Sequence, residues 1–347
     1  MKEKTVHKTS VGGQALIEGI LMRGPKGAAM SVRLPNGEIE TEYKEVKPWR
    51  EKNKFFGLPL IRGIVGFVES LVTGYQYLME SAEKSTQGLT EEEENLSKVD
   101  RWINDHFGEK MMNIIGAISA VLGVALAFFL FMWLPTFLVD LVTQNHLLKF
   151  HALFEGILRV IIFIAYLAIV SKMKDIHRVF MYHGAEHKSI FCYEHGLELT
   201  VENVRKQKRF HPRCGTSFLV LMLLVGIVVS MFIRVDNPFL RTGLKILTFP
   251  ILISIGYELI QYAGRHDSRL TRIISAPGVA IQHITTREPD DGMIQCAIES
   301  MLRVIPGAEG YPERETRPRA LVDADTLAQT APPAPETAAA VENNANA

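Results

Sequence analysis

Residues 172–216 read KMKDIHRVFMYHGAEHKSIFCYEHGLELTVENVRKQKRFHPRCGT, and this stretch decides the fold. It is a polar segment of 45 residues held between apolar runs long enough to cross a membrane. It contains His183-Gly-Ala-Glu186-His187 and, further on, His211-Pro-Arg-Cys214-Gly215. Three imidazoles, a thiol and a carboxylate therefore share one segment at spacings that suit a metal. The sequence predicts an integral membrane protein with a metal site at the membrane surface.

Working outward, four apolar spans flank this segment. Ile114–Leu134 has no charge over 21 residues, about 31 Å as a helix, and Pro135 is expected to close it. Ala152–Ser171 carries Glu155 and Arg159 in its first turns, at a spacing that lets them pair. Ser217–Ile233 is short but strongly apolar, and Gly243–Tyr262 contains Lys245, Pro250 and Glu258. The 172–216 segment holds nine Lys and Arg residues, while the connection after the first span has only Lys149. By the positive-inside rule both termini and the long segment lie in the cytoplasm.

The positive mean hydropathy and the clustering of apolar residues argue against a set of soluble domains. Net charge is zero, so no nucleic-acid partner is expected. Three cysteines, Cys192, Cys214 and Cys296, are too few for a disulfide framework and fit a reducing compartment or metal ligation. The N-terminus has no apolar core of a signal peptide.

Met30–Leu34 and Ile39–Tyr43 alternate in the strand period around Asn36-Gly37, which predicts a β-hairpin. Pro59–Met79 reads as a helix with a narrow polar stripe of Arg62, Gly66, Glu69, Thr73, Gln76 and Glu80. Such a helix lies in the membrane interface or packs on the bundle. Gly66, Ser70 and Gly74 permit close helix contact. Thr90 with Glu91–Glu94 reads as a capped acidic helix start. Asp290-Asp291 opens an amphipathic helix whose apolar face is Met293, Ile294, Ala297, Ile298, Met301 and Leu302. The fold class is thus an all-α polytopic membrane protein of about four transmembrane helices, with a small N-terminal β-hairpin and peripheral amphipathic helices. The expected divisions are a Gly-rich segment and hairpin (1–57), interfacial helices (58–112) and a first transmembrane pair (113–171). The His/Cys segment (172–216), a second pair (217–263), an amphipathic segment (264–305) and a disordered Pro/Ala-rich tail (306–347) follow.

On a helix His183, Glu186 and His187 fall within about a 100° arc of one face. Two imidazoles one turn apart can grip one Zn²⁺, and a carboxylate beside them can take a proton from water. The order H-x-x-E-H is that of inverted zinc peptidases, although Gly184 weakens the helix. His211 and Cys214 on a tight turn resemble half a zinc knuckle. Together His183, His187, His211 and Cys214 form a tetrahedral N₃S candidate set, with Glu186 as the candidate catalytic base. Four protein ligands would make the site structural, and three would leave a position for chemistry. Cys192, Glu194 and His195 stand nearby as supporting or surface residues. Glu258, deep in an apolar span, faces a partner or cavity, with Arg265 or Arg159 as the expected ion-pair partner. In the glycine-dense run Gly12–Pro25 the glycines are expected to allow tight turns, and Glu18 and Arg23 are further candidates.

These motifs resemble those of the YqhQ-like family of bacterial membrane proteins, a domain-of-unknown-function family labelled a predicted metal-dependent enzyme. The resemblance rests on Gly12–Gly19 with Met22–Pro25, Tyr182–Lys188, Leu199–Asn203, His211–Ser217 and Thr285–Pro289, and spans roughly residues 10 to 305. It implies a multi-pass protein of the bacterial inner membrane and names no substrate.

Three functions follow as expectations. The first is a zinc-dependent hydrolase at the cytoplasmic membrane face, acting on a peptide or lipid-linked substrate. The second is a non-enzymatic scaffold or assembly factor stapled by a structural metal. The third is a transporter using Glu258. The lipid bilayer is the implied partner, with a membrane or cytoplasmic protein beside it, and the oligomeric state stays open.

Overall fold

The computed structural model describes residues 9–87, 118–119, 121–143, 151–233, 235, 237–265, 268–305 and 314–317. The acidic segment at 90–94 lies outside them. Strands β1 (Gly12–Leu16), β2 (Gly19–Arg23), β3 (Gly27–Arg33) and β4 (Ile39–Glu45) form an antiparallel meander. The β3–β4 turn sits where Asn36-Gly37 predicts it, with Gly37 at φ 87 and its N–H bonded to Leu34 O. The expected hairpin is half of this meander. The Gly-rich run adds β1 and β2, because β2 (GILMR) alternates side chains into two cores and is buried on both faces. A further strand, β5 (Arg314–Arg317), pairs with β4, so part of the tail expected to be disordered is ordered. Main-chain pairing at a sheet edge needs no apolar side chains.

A helical turn, α1 (Trp49–Lys52), leads to α2 (Ile61–Thr86). Leu16, Leu21, Met30 and Val32 pack on the α2 side of the sheet with Tyr77 and Leu78. On the other face, Ile20, Met22 and Ala29 meet α6 (Lys174–Glu194) and α11 (Asp291–Leu302). Helix α11 is capped by Asp290 and carries the expected apolar face, but it is a core helix rather than a peripheral one. Even its polar Glu299 and Ser300 are buried, with Ser300 Oγ donating to Ile20 O at 3.1 Å.

Among the described residues three helices are long and apolar enough to cross a membrane, not the four expected. The first, Val121–Val142, joins α3 (121–128) to α4 (Leu134–Thr143) through a π-turn, Phe129–Trp133. Pro135 therefore does not close it. The π-turn just before Pro135 absorbs the lost hydrogen bond and ring clash. The second is α5 (His151–Val170), and the third, Leu240–Leu259, lies within α9 (Pro238–Arg265). The expected span Ser217–Ile233 falls short. Its helix, α8 (Gly215–Ser230), has 16 residues, about 24 Å, starting at the Cys214 cap and ending at Ser230. Short α7 (Val201–Arg205) and α10 (Arg269–Thr285) complete the chain.

Candidate metal centre

Helix α6 follows α5 after a short turn at 171–173 and carries His183, Glu186 and His187. Its middle can be crossed closely only because residue 184 is glycine. A Cβ there would lie 2.0 Å from Arg287 O, and the Arg287 N–H bonds Phe180 O at 2.8 Å. The segment Thr285–Pro289 is thus laid across the helix next to His183. The second half of the site comes from the chain before α8, where Cys214 is the N-cap. Its Sγ accepts from Thr216 N at 3.4 Å and lies 3.2 Å from the Thr216 hydroxyl.

The side chains converge. One donor atom each of His183, His187 and Cys214 lies within 4.8 Å of the other two. His183 Nε2 is 3.0 Å from Cys214 Sγ. Both imidazoles are oriented through their other nitrogen. His183 Nδ1 donates to Thr285 O at 2.8 Å, and His187 Nδ1 donates to Arg209 O at 2.5 Å. A carbonyl only accepts, so in each neutral ring the proton sits on Nδ1 and the lone pair on Nε2. Among the described residues His187 Nε2 is buried with no hydrogen-bond partner. An unpartnered buried acceptor beside a thiol is a donor arrangement that a soft divalent metal satisfies, so the donor set fits one.

Electrostatics follow from burial. Burial and the neighbouring His183 hold the His187 imidazolium pKa below its usual range, with Cys214 pulling the other way. Burial alone would raise the Cys214 thiol. The His187 ring and the Thr216 hydroxyl and N–H outweigh it, and the thiol ends below its usual range. Cys192 behaves oppositely, pushed up to about 12 by burial and then by Glu198, and burial raises Cys296 as well. Of the three thiols, Cys214 alone is shifted toward the thiolate. Glu186 is raised to about 7 by burial, with His183 lowering, Cys214 raising and the Gly13 N–H lowering it.

His211 is adjacent but turned away. Its ring centroid lies 5.6 Å from that of His187. Its Nδ1 accepts from the Arg213 N–H at 3.3 Å, and its Nε2 faces Glu194 at 3.7 Å. Its backbone is clamped by Gln282, whose Oε1 accepts from His211 N and whose Nε2 donates to His211 O, both at 2.7 Å. Glu194 also pairs with Arg213 and accepts from Thr9 N at 2.8 Å. The converging set is therefore N₂S, with His211 as a neighbour.

The other sequence candidates lie elsewhere. Glu18 pairs with the Arg178 guanidinium and accepts from the Tyr182 hydroxyl at 3.2 Å, anchoring α6 just before His183. Arg23 donates to Thr73 Oγ1 at 2.5 Å and ties β2 to α2. Glu258 meets Arg62 of α2 at 2.7 and 2.5 Å, a partner the sequence did not suggest. Arg159 holds Glu155 at 2.6 Å, the expected one-turn pair. Gly13 is the site residue that sequence reasoning missed. A Cβ there would sit 2.8–2.9 Å from the Glu186 carboxyl group. The density of glycines in β1 was the available signal.

Two comparisons bear on this arrangement. The family described as "Protein of unknown function (DUF1385)" matches residues 58–306. The uncharacterized protein YqhQ of Bacillus subtilis (strain 168) is 30% identical over 315 residues, covering 88% of this chain and 95% of that protein. No solved structure matches.

Proposed function

The chain belongs to the DUF1385 family of proteins of unknown function, and we propose that it is a metal-dependent hydrolase working at the cytoplasmic face of the membrane. The observation that carries this reading is the pair of histidines pre-set as Nδ1–H tautomers. Their Nε2 atoms and the Cys214 sulfur share one small volume. Three protein ligands leave a coordination position for chemistry, which a fourth would close. A zinc ion held by His183, His187 and Cys214 supplies Lewis acidity.

The chain's own residues do the rest. Thr285 O and Arg209 O fix the imidazole orientations. The α8 N-terminus and Thr216 support the thiolate. Glu186, on the same helix between His183 and His187, carries the proton, as general base and then as acid. The Gly13 N–H orients that carboxylate. The substrate is peptide or lipid-linked, in keeping with a site one turn from the apolar start of α8.

The test is metal content by mass spectrometry beside the cellular phenotype of a deletion strain. About one zinc per chain is expected, lost in Cys214→Ser and His187→Ala. Glu186→Gln should keep the metal and lose complementation. Full complementation by a metal-loaded Glu186→Gln protein would leave a structural metal and refute the enzyme. Metal-free, well-folded wild type would refute both.

A further inference from the structure

A second feature lies at the other end of the apolar helices. Asp140 at the end of α4, His151, Glu155 and Arg159 at the start of α5, and Arg241 and Lys245 at the start of α9 form one buried network. Lys245 Nζ contacts both Glu155 oxygens at 2.5 and 2.6 Å, and Arg159 contacts the same carboxylate at 2.6 Å. Arg241 and His151 share Asp140, at 2.9 and 2.6 Å. Glu155 is 1% exposed. Charges so placed in apolar helices are costly, and they mark functional positions.

The network has more cations than carboxylates. Among the described residues Arg159, Arg241 and Lys245 face only Asp140 and Glu155. Arg159 and Lys245 divide a single carboxylate, and Arg159 Nε is buried without a hydrogen-bond partner. Both of these cations line a cavity of about 300 Å³. From Ser230 beside them the cavity runs along α8 to Phe218, about 18 Å of helix rise, walled by aromatic and aliphatic side chains such as Phe163 and Leu252. One end is positively charged and the rest is an apolar, half-open groove. Gly226 leaves room in its wall, where a Cβ would meet nothing nearer than Leu252 Cδ1 at 3.7 Å.

We infer that this cavity binds a single-chain anionic amphiphile, its carboxylate or phosphate head at Arg159 and Lys245 and its hydrocarbon chain along α8 toward Phe218. The surplus of cations over carboxylates among the described residues selects the head, and the volume, at the lower end of small-molecule sites, admits one chain. This site is separate from the His/Cys cluster and does not depend on the hydrolase reading.

Full-length protein in detergent, followed by native mass spectrometry, tests it with three probes of equal chain length: palmitate, palmitoyl lysophosphatidate and hexadecylamine. One equivalent of palmitate, of lysophosphatidate or of both should bind, and which one binds identifies the head. Hexadecylamine should bind at least tenfold more weakly. Arg159→Gln and Gly226→Phe should each weaken the anion at least tenfold. Glu155→Gln, which removes a competing carboxylate, should tighten it, a gain that misfolding cannot produce. Equal binding of amine and anion, no anion binding, or anion affinity unchanged in both Glu155→Gln and Gly226→Phe would overturn the inference.

Discussion

Burying the Glu186 carboxyl is unfavourable to the metal-free fold, and pH exposes the cost. The group sits at about 7 in the folded chain, against 4.5 for the free side chain. The folded pKa is raised, so the folded chain is favoured while both forms are protonated, below 4.5. It loses ground between 4.5 and 7, and the full penalty applies above 7. At about 1.4 kcal/mol per pH unit the difference is about 3 kcal/mol. Metal-stripped Glu186→Gln should therefore match wild type at pH 4 and exceed it by about 3 kcal/mol at pH 8 in denaturant unfolding. Parallel stability curves across that range would show that the carboxyl is not buried as described. At this scale the donors were legible, because His, Glu and Cys at metal spacings are visible as letters. What orients them was not. Thr285 and Arg209 act through backbone carbonyls and Gly13 through an N–H and an absent Cβ, and none of these contributions has a side-chain signature.

Among the elements, α2 is amphipathic in the reverse sense from a helix on a water-soluble core. Its polar stripe faces the protein. Arg62 meets Glu258, Glu69 accepts from Trp49 N at 3.2 Å, Thr73 accepts from Arg23, and Glu80 approaches Lys44. Its apolar side, with Leu71 at 57%, Tyr75 at 57% and Met79 at 51% exposed, faces outward. An apolar face of that size predicts contact with lipid. Tyr75→Trp, with the native tryptophans replaced by phenylalanine, should be quenched by brominated lipid in reconstituted protein and poorly by aqueous iodide. The opposite pattern would put this face in water or against protein. The stripe was readable from the sequence, but its direction depended on Glu258 and Arg23, which are remote in the chain. The β3–β4 hairpin was readable because Asn36-Gly37 is a local signal. Strands β1 and β2 were not, since glycine lowers strand propensity and their burial comes from α2, α6 and α11.

For the whole molecule, the sheet bears on how often the chain is expected to cross a membrane. Strands β1–β4 share a core with α6 and α11, so segments far apart in sequence occupy one body. The Val121–Val142 helix leaves that body and α5 returns to it at α6. Helix α9 likewise returns to α10 and α11, and α8 is the helix that precedes it. Three crossings would put the two halves of one hydrophobic core on opposite faces of a membrane. A fourth passage by α8, which at 16 residues is several ångströms shorter than a hydrocarbon core, is the prediction that keeps both halves on one face. Local bilayer thinning absorbs such a mismatch at a fraction of a kcal/mol per ångström. Reporter fusions at residues 9, 206 and 305 should accordingly all report the cytoplasm, whereas fusions at 145 and 235 report the far side. A fusion at 235 that reports the cytoplasm would make α8 a re-entrant helix.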